Sequence, residues 1–384
     1  MLRITDKAIC CGCGACANVC PYHAITLQPD EEGFAYPVVD AGKCAECGLC
    51  LTTCPVISGG FACCDQTPEA FAAKNKNNAV RLSSSSGGIF TLLAEYVLKK
   101  RGVVFGAALN GNMEVTHRYT EDTDGMAQFR GSKYVQSSVE QSYPQVREFL
   151  ENGRIVLFSG TPCQIAGLKQ YLRKEYTQLI CVDIACHGVP SPLVWKAYLK
   201  EMEKQGGNQI CGTHFRDKTN GWNNFSMKLL FKDGGYILSG KDQDPYLKAF
   251  LANYDLRPSC YKCAFKQHNS GADITLADFW GIDHILPELD DDKGISLVLV
   301  NSEKGRMILK DIQDNLTMVA VDYQTAIQYN SAVIRSVYRP QERDRYIRDA
   351  GKTNFFTLTN QYFSLKPHWR VFRKVRRMIQ KSIK

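Results

Sequence analysis

The sequence predicts a multidomain α+β protein, in which a small cysteine-loop domain precedes an α/β body. Two observations predict it. CCGCGACANVCP, residues 10–21, places five cysteines in eleven positions before its proline, and KCAECGLCLTTCP, residues 43–55, nearly repeats the pattern. Downstream of about residue 87, strand-like and helix-like segments alternate, the signature of parallel strands joined by helices.

The composition allows this organisation. A chain of 384 residues can bury a sizeable core in two or three domains, and 44% hydrophobic with 22% charged residues is ordinary for a globular protein. No apolar run approaches the roughly eighteen residues that span a bilayer. The opening MLRITDKAIC lacks the apolar centre of a secretory signal. The expected compartment is therefore the cytoplasm, where seventeen cysteines read as metal ligands instead of disulfides. The net charge of +8 is local: residues 366–384 hold eight Lys and Arg and no acid, and removing those eight from 47 leaves 39 bases against 39 acids. A neutral body gives no case for a nucleic-acid surface.

Cys10, Cys13, Cys16 and Cys20 with Pro21 form C-x2-C-x2-C-x3-C-P, and Cys44, Cys47, Cys50 and Cys54 with Pro55 form it again. Three thiolates on one tight loop grip three irons of a cubane, and the fourth cysteine ligates the other cluster. The spacing assigns Cys10, Cys13, Cys16 and Cys54 to one 4Fe-4S cluster, and Cys44, Cys47, Cys50 and Cys20 to a second. Zinc also takes four thiolates, but its sites usually pair two C-x2-C units. Residues 1–58 thus resemble a bacterial two-cluster ferredoxin. Cys11 falls between ligand positions and reads as a packed free thiol.

SGGFACCDQTPEA, 58–70, reads as a linker. A helix is predicted over 87–100 and a strand over 103–109; a helix then covers 137–153, a strand 154–160 and a helix 161–176. Strand 178–186 and helix 190–205 complete the alternation. Hairpin-like strands fill 209–240 around the turn KDGG, and 294–300 returns to a buried strand before the helix 303–312. Ser83 to Gly88, at a helix start, could cap the helix or contact a phosphate; on the residues alone the cap is favoured. Cys163 and Cys186 each follow a predicted strand, where α/β folds gather ligands. With the pair Cys260 and Cys263 they make four thiolates, read as a third 4Fe-4S cluster with zinc as the alternative.

The motifs SSGGIFTLLAEYVL, FRGSKYVQS, GTPCQIAGLKQYL, CHGVPSP and CYKCAFKQHNSGADITLADFWGI, in this order, resemble the beta subunit of the deazaflavin coenzyme (F-420) reducing hydrogenases and dehydrogenases. The resemblance covers roughly residues 80–285. It implies a flavin, usually FAD, beside an iron–sulfur cluster. It makes Ser84, Ser85, Ser86, Gly87, Gly88, Lys133 and Tyr134 cofactor-contact candidates, and raises the third cluster above zinc. Asp278 becomes a site-lining candidate and His187 a proton donor. The chain lacks a nickel-hydrogenase cysteine pattern, so activation of hydrogen is not expected of it. Stand-alone relatives accompany surface-polysaccharide synthesis.

The expected organisation is a ferredoxin-type domain (1–58), a flavin region (59–150), a third-cluster region (151–330) and a C-terminal extension (331–384). The expected function is an iron–sulfur flavoprotein oxidoreductase, passing electrons between a one-electron carrier such as ferredoxin and a small-molecule two-electron substrate. An electron-transfer subunit of a larger complex is the alternative. In the tail, Trp369, Phe372, Val375, Ile379 and Ile383 share one helical face opposite Arg370, Arg373, Lys374 and Arg377. Such a helix suits a peripheral contact with an anionic membrane, or docking on protein.

Overall fold

A computed structural model describes residues 2–59 and 67–363. Cys63, Cys64 and the basic helix expected at the C-terminus lie outside the described residues. Among those described, no helix is long and apolar enough to cross a membrane.

The N-terminal unit is built from α1 (Ala15–Val19), the antiparallel hairpin β1 (Ile25–Pro29) and β2 (Ala35–Val39), and α2 (Leu49–Thr53). Phe34 is fully buried between the hairpin and the body. Glu32, in the turn of the hairpin, receives a forked ion pair from the buried Arg343, whose Nη2 lies 2.6 Å from Oε2. Arg343 also donates to the Leu256 carbonyl, so the unit is pinned to the body at both hairpin and helix.

The body follows as β3 (Glu69–Asn75), α3 (Asn78–Leu82), α4 (Ile89–Lys99), β4 (Val103–Leu109), β5 (Val115–Thr120), α5 (Thr123–Met126), α6 (Ser142–Glu151), β6 (Val156–Gly160), α7 (Pro162–Leu172), β7 (Leu179–Ile184) and α8 (Pro192–Gly206). Then come β8 (Ile210–Asp217), β9 (Ser226–Phe231), β10 (Tyr236–Gly240), α9 (Pro245–Leu251), β11 (Ile274–Asp278), β12 (Ser296–Val300) and β13 (Leu316–Val321). One eight-stranded sheet runs β13-β3-β12-β11-β7-β6-β4-β5, while β10-β9-β8 form a separate antiparallel sheet. Within the large sheet β4, β6, β7 and β11 are parallel neighbours.

Parallel strands need cover on both faces, and the residue pattern supplies it. Val104, Leu157, Ile180 and Val182 point to one face, packed on Leu92, Leu93 and Val97 of α4. Val103, Phe105, Val156 and Phe158 point to the other, packed on Val146 and Leu150 of α6 and Ile165 and Leu168 of α7. Cys13 and Ala15 belong to this second layer, so the first cysteine loop is part of the core of the body.

The predicted strands at 103–109, 154–160, 178–186 and 294–300 are all present, and 209–240 is the small sheet. Three differences have physical reasons. Helix α6 starts at Ser142, five residues later than expected, because Ser138 is held beside β5 by backbone bonds with Val115 and His117. The linker reading of 58–70 overran, since Glu69 and Ala70 already pair with β12. The sheet also takes strands from both sides of residue 150, so segments 59–150 and 151–330 share one core. Helices Arg343–Ala350 and Phe355–Phe363 pack back on α8 and α9.

Candidate functional site

Gly14 and Gly48 take the left-handed conformation at the starts of α1 and α2 (φ 75° and 76°), and Cys20 and Cys54 close both helices in the same extended form (ψ 110° and 114°). A β-carbon strains that left-handed form, so glycine lets both loops fold alike, as an internal duplication requires. Cys54, from the second run, lies close enough to Cys10 and Cys16 of the first to interact with them electrostatically. Cys13 is buried beside Cys16, Cys11 and Cys163. Cys20, Cys44, Cys47 and Cys50 line one small cavity.

The other four cysteines are brought together by the strand ends. Cys163 sits in the first turn of α7, directly after β6, and Cys186 directly after the neighbouring β7. Cys260 and Cys263 come from the single 3-10 turn at Pro258–Lys262 and its cap. All four line one cavity of about 60 Å³. Each thiol feels the others: Cys186 interacts with Cys260, Cys163 and Cys263. Burial pushes the Cys260 and Cys16 thiols up to about 12, so they ionise only against a cation. No three Cys, His, Asp or Glu among the described residues converge to hold a single ion. Thiols arranged around a cavity suit a cluster with its own volume better than one zinc.

Polar partners surround this quartet. The Val189 N–H donates to the Cys260 sulfur at 3.5 Å, Thr161 Oγ1 lies 3.2 Å from the Cys163 sulfur, and Lys266 donates its ammonium to the Cys186 and Ala332 carbonyls, both at 2.6 Å. His187 lines the same cavity, with Nε2 2.6 Å from Asn253 Oδ1, and burial holds its pKa below the usual value.

Residues expected at a flavin lie together farther along the same sheet edge. Asp278 ends β11 opposite Ser296, which is opposite Ala73 of β3. Gly87 meets this rung: its N–H donates to Ser296 Oγ at 2.9 Å, and a β-carbon there would lie 2.4 Å from the Ala73 carbonyl. Ser84 Oγ donates to Val80 O, Ser86 Oγ to Ile295 O, and Ser85 Oγ accepts from Ser132 N at 2.7 Å. Gly88 (φ 79°) opens α4 without a side-chain cap. Asp278 is held by the buried Arg216 (2.7 Å) and the Trp222 Nε1–H (2.9 Å), and Arg216 also reaches the Tyr134 hydroxyl at 3.3 Å. Tyr134 stacks on Phe250 at 4.4 Å. Lys133 donates to the Gln128 and Arg130 carbonyls, and Lys218 to the carbonyls of Arg81, Ser86 and Lys293. Burial lowers the pKa of each lysine to about 7.

The sequence reading missed Arg216, Lys218, Lys266 and Arg257, and gave Cys11 no role. One signal was available: Arg216 and Lys218 are two basic residues close together where β8 ends at Asp217. Cys11 lies within hydrogen-bonding reach of Cys163.

Two ferredoxin-type loops and a cysteine-lined strand-end cavity define an iron–sulfur protein of the redox class. Residues 153–325 match the family model for the C terminus of the coenzyme F420 hydrogenase/dehydrogenase beta subunit, and residues 9–57 match the 4Fe-4S dicluster domain. Over residues 153–325 the chain is similar to that beta-subunit family, with a dicluster domain in front of it. A solved structure of the F420-reducing NiFe hydrogenase complex from Methanosarcina barkeri, derivatised with xenon, is similar at 15% identity. The match covers 76% of this chain and 91% of that one, with a TM-score of 0.46. No curated protein matches the sequence.

Proposed function

We propose that the protein is an iron–sulfur flavoprotein oxidoreductase, passing electrons between a one-electron carrier of ferredoxin type and a two-electron organic substrate. The observation that carries this is the quartet Cys163, Cys186, Cys260 and Cys263 around one cavity, with Cys11 of the first cluster loop against Cys163. These four thiols would hold a third 4Fe-4S cluster, in contact with the N-terminal unit. Lys266, buried beside Cys186, offsets part of the negative charge. A flavin, FAD or FMN, would supply the exchange between one-electron and two-electron chemistry.

Lys133 and Lys218 are the chain's groups toward the flavin phosphates. Each is a half-buried amine held only by carbonyls among its described hydrogen-bond partners, and an anion would restore its charge. Arg216 orients Tyr134 and Asp278 at the same edge, and His187, fixed by Asn253, is the candidate proton carrier beside the quartet. One observation favours the second reading, a subunit that relays electrons within a larger complex. The hydroxyls of Ser84 and Ser86 and the Gly87 N–H are already spent on the protein's own groups.

The two readings separate on the full chain purified without oxygen. The denatured supernatant should fluoresce as flavin, and a low-potential donor should bleach the bound flavin after the clusters. Deazaflavin coenzyme, nicotinamide dinucleotides and nucleotide sugars are the acceptors to assay. Protein that stays flavin-free after incubation with FAD or FMN would end the enzyme reading and leave the relay.

A further inference from the structure

Between the first cysteine loop and the body lies one fully buried cation, Arg257. Its Nε donates to the Cys10 carbonyl at 2.7 Å, and its Nη2 to the Cys10 sulfur at 3.5 Å and the Ala35 carbonyl at 3.0 Å. Its Nη1 donates to Gln136 Oε1 at 2.9 Å, and the Gln136 amide in turn donates to the Cys11 carbonyl at 3.2 Å. The guanidinium lies over the Tyr36 ring at 4.2 Å. No carboxylate is among these partners. Its backbone carbonyl accepts from the Cys260 N–H, which puts the same residue at the start of the turn holding half of the cysteine quartet.

The second cluster loop is built differently. The cavity lined by Cys20, Cys44, Cys47 and Cys50 has Glu46 in its wall and no Lys or Arg among its lining residues, and Cys47 is exposed. The two loops share a backbone shape but differ in the charge around them.

We infer that Arg257 is a redox-tuning residue: it raises the reduction potential of the cluster held by Cys10, Cys13, Cys16 and Cys54 above that of its twin. A cluster gains one negative charge on reduction, so a fixed buried cation and an N–H directed at a ligand sulfur both stabilise the reduced form. Electrons then enter at the exposed second cluster and settle on the first, beside the body. The step balances within the chain: one electron leaves the reduced second cluster, taking it from 1+ to 2+, and the first goes from 2+ to 1+. A low-potential one-electron donor supplies that electron, and no proton or other reactant is needed. The inference requires only the two N-terminal clusters. Its failure would leave the flavin and the third cluster of the proposed function standing, and loss of those would leave it intact.

The test is an anaerobic redox titration of the full chain with dithionite, read by electron paramagnetic resonance. Wild type should show two N-terminal centres of distinct potential. Arg257→Met should lower the higher one by at least a tenfold fall in its electron-binding constant, 59 mV for one electron, and leave the lower one in place. Should that chain fail to hold its iron, Gln136→Glu decides, because a near-isosteric carboxylate at 136 neutralises the guanidinium and should shift the same centre downward. An unmoved upper centre in an iron-replete variant, or a shift confined to the lower centre, would overturn the inference.

Discussion

His117 shows how a single side chain in the layer beneath the site answers to pH. It is buried, stacked on Phe158 at 5.2 Å, with Nε2 3.0 Å from the Ser159 carbonyl and Nδ1 3.1 Å from Ser137 Oγ. An Nε2–H donating to the carbonyl and a bare Nδ1 accepting from the serine satisfy a neutral ring. Burial lowers its pKa from 6.5 to about 4. The depressed value fixes the sign. Its contribution to stability is present above the unfolded value near 6.5, and drains as pH falls toward the folded value. At about 1.4 kcal/mol per unit, the step from pH 7 to pH 5 should cost roughly 2 kcal/mol. Denaturant midpoints at those two pH values should show His117→Gln losing that much of the wild-type slope, whatever its absolute stability; equal slopes would contradict the assignment. Nothing in the sequence around His117 announces this, because the partners that bury it come from residues 137, 158 and 159, on other elements.

At the scale of elements, α7 does two jobs. Thr161 and Gln164 form a capping box with Pro162 at the first turn, which fixes the start of the helix and with it Cys163. Farther along, Gly167 gives α1 room to dock: a β-carbon there would lie 2.9 Å from Cys13 Cβ and 3.0 Å from its sulfur. Gly167→Ala therefore sets a helix-propensity gain of about 1 kcal/mol against an overpacking cost of roughly 1–3 kcal/mol. The clash is with a cluster ligand in a packed layer, so the cost should win. The variant should melt below wild type and lose signal selectively from the first cluster; an equally stable variant with both N-terminal clusters intact would refute the docking role. The strand–helix alternation that places α7 was legible from hydrophobic periodicity. The strand β3 was not, because EAFAAKN carries little β-propensity and pairs only once distant segments are in place. The cysteine ligands were legible because thiolate spacing is local in the two loops. Arg257 was not, since its contacts span some 220–250 positions of sequence.

For the whole molecule, the proposed function makes the body itself a metal-bearing redox unit, continuous with the N-terminal module. Placing Cys13 and Ala15 in the same layer as Phe158 and Ile165 makes the first cluster loop part of the body. The body's four cysteines arrive from three separate segments to line one cavity at the sheet edge. Two of those segments were foreseeable from strand ends; their convergence with the pair at 260 and 263 rests on the crossover from β7 to β11, which single-sequence periodicity does not fix. Iron and acid-labile sulfide counted per chain on the anaerobically reconstituted protein test this most directly. Three clusters predict about twelve of each in wild type and about eight in Cys260→Ala; about eight in both would contradict it, leaving clusters in the N-terminal unit alone.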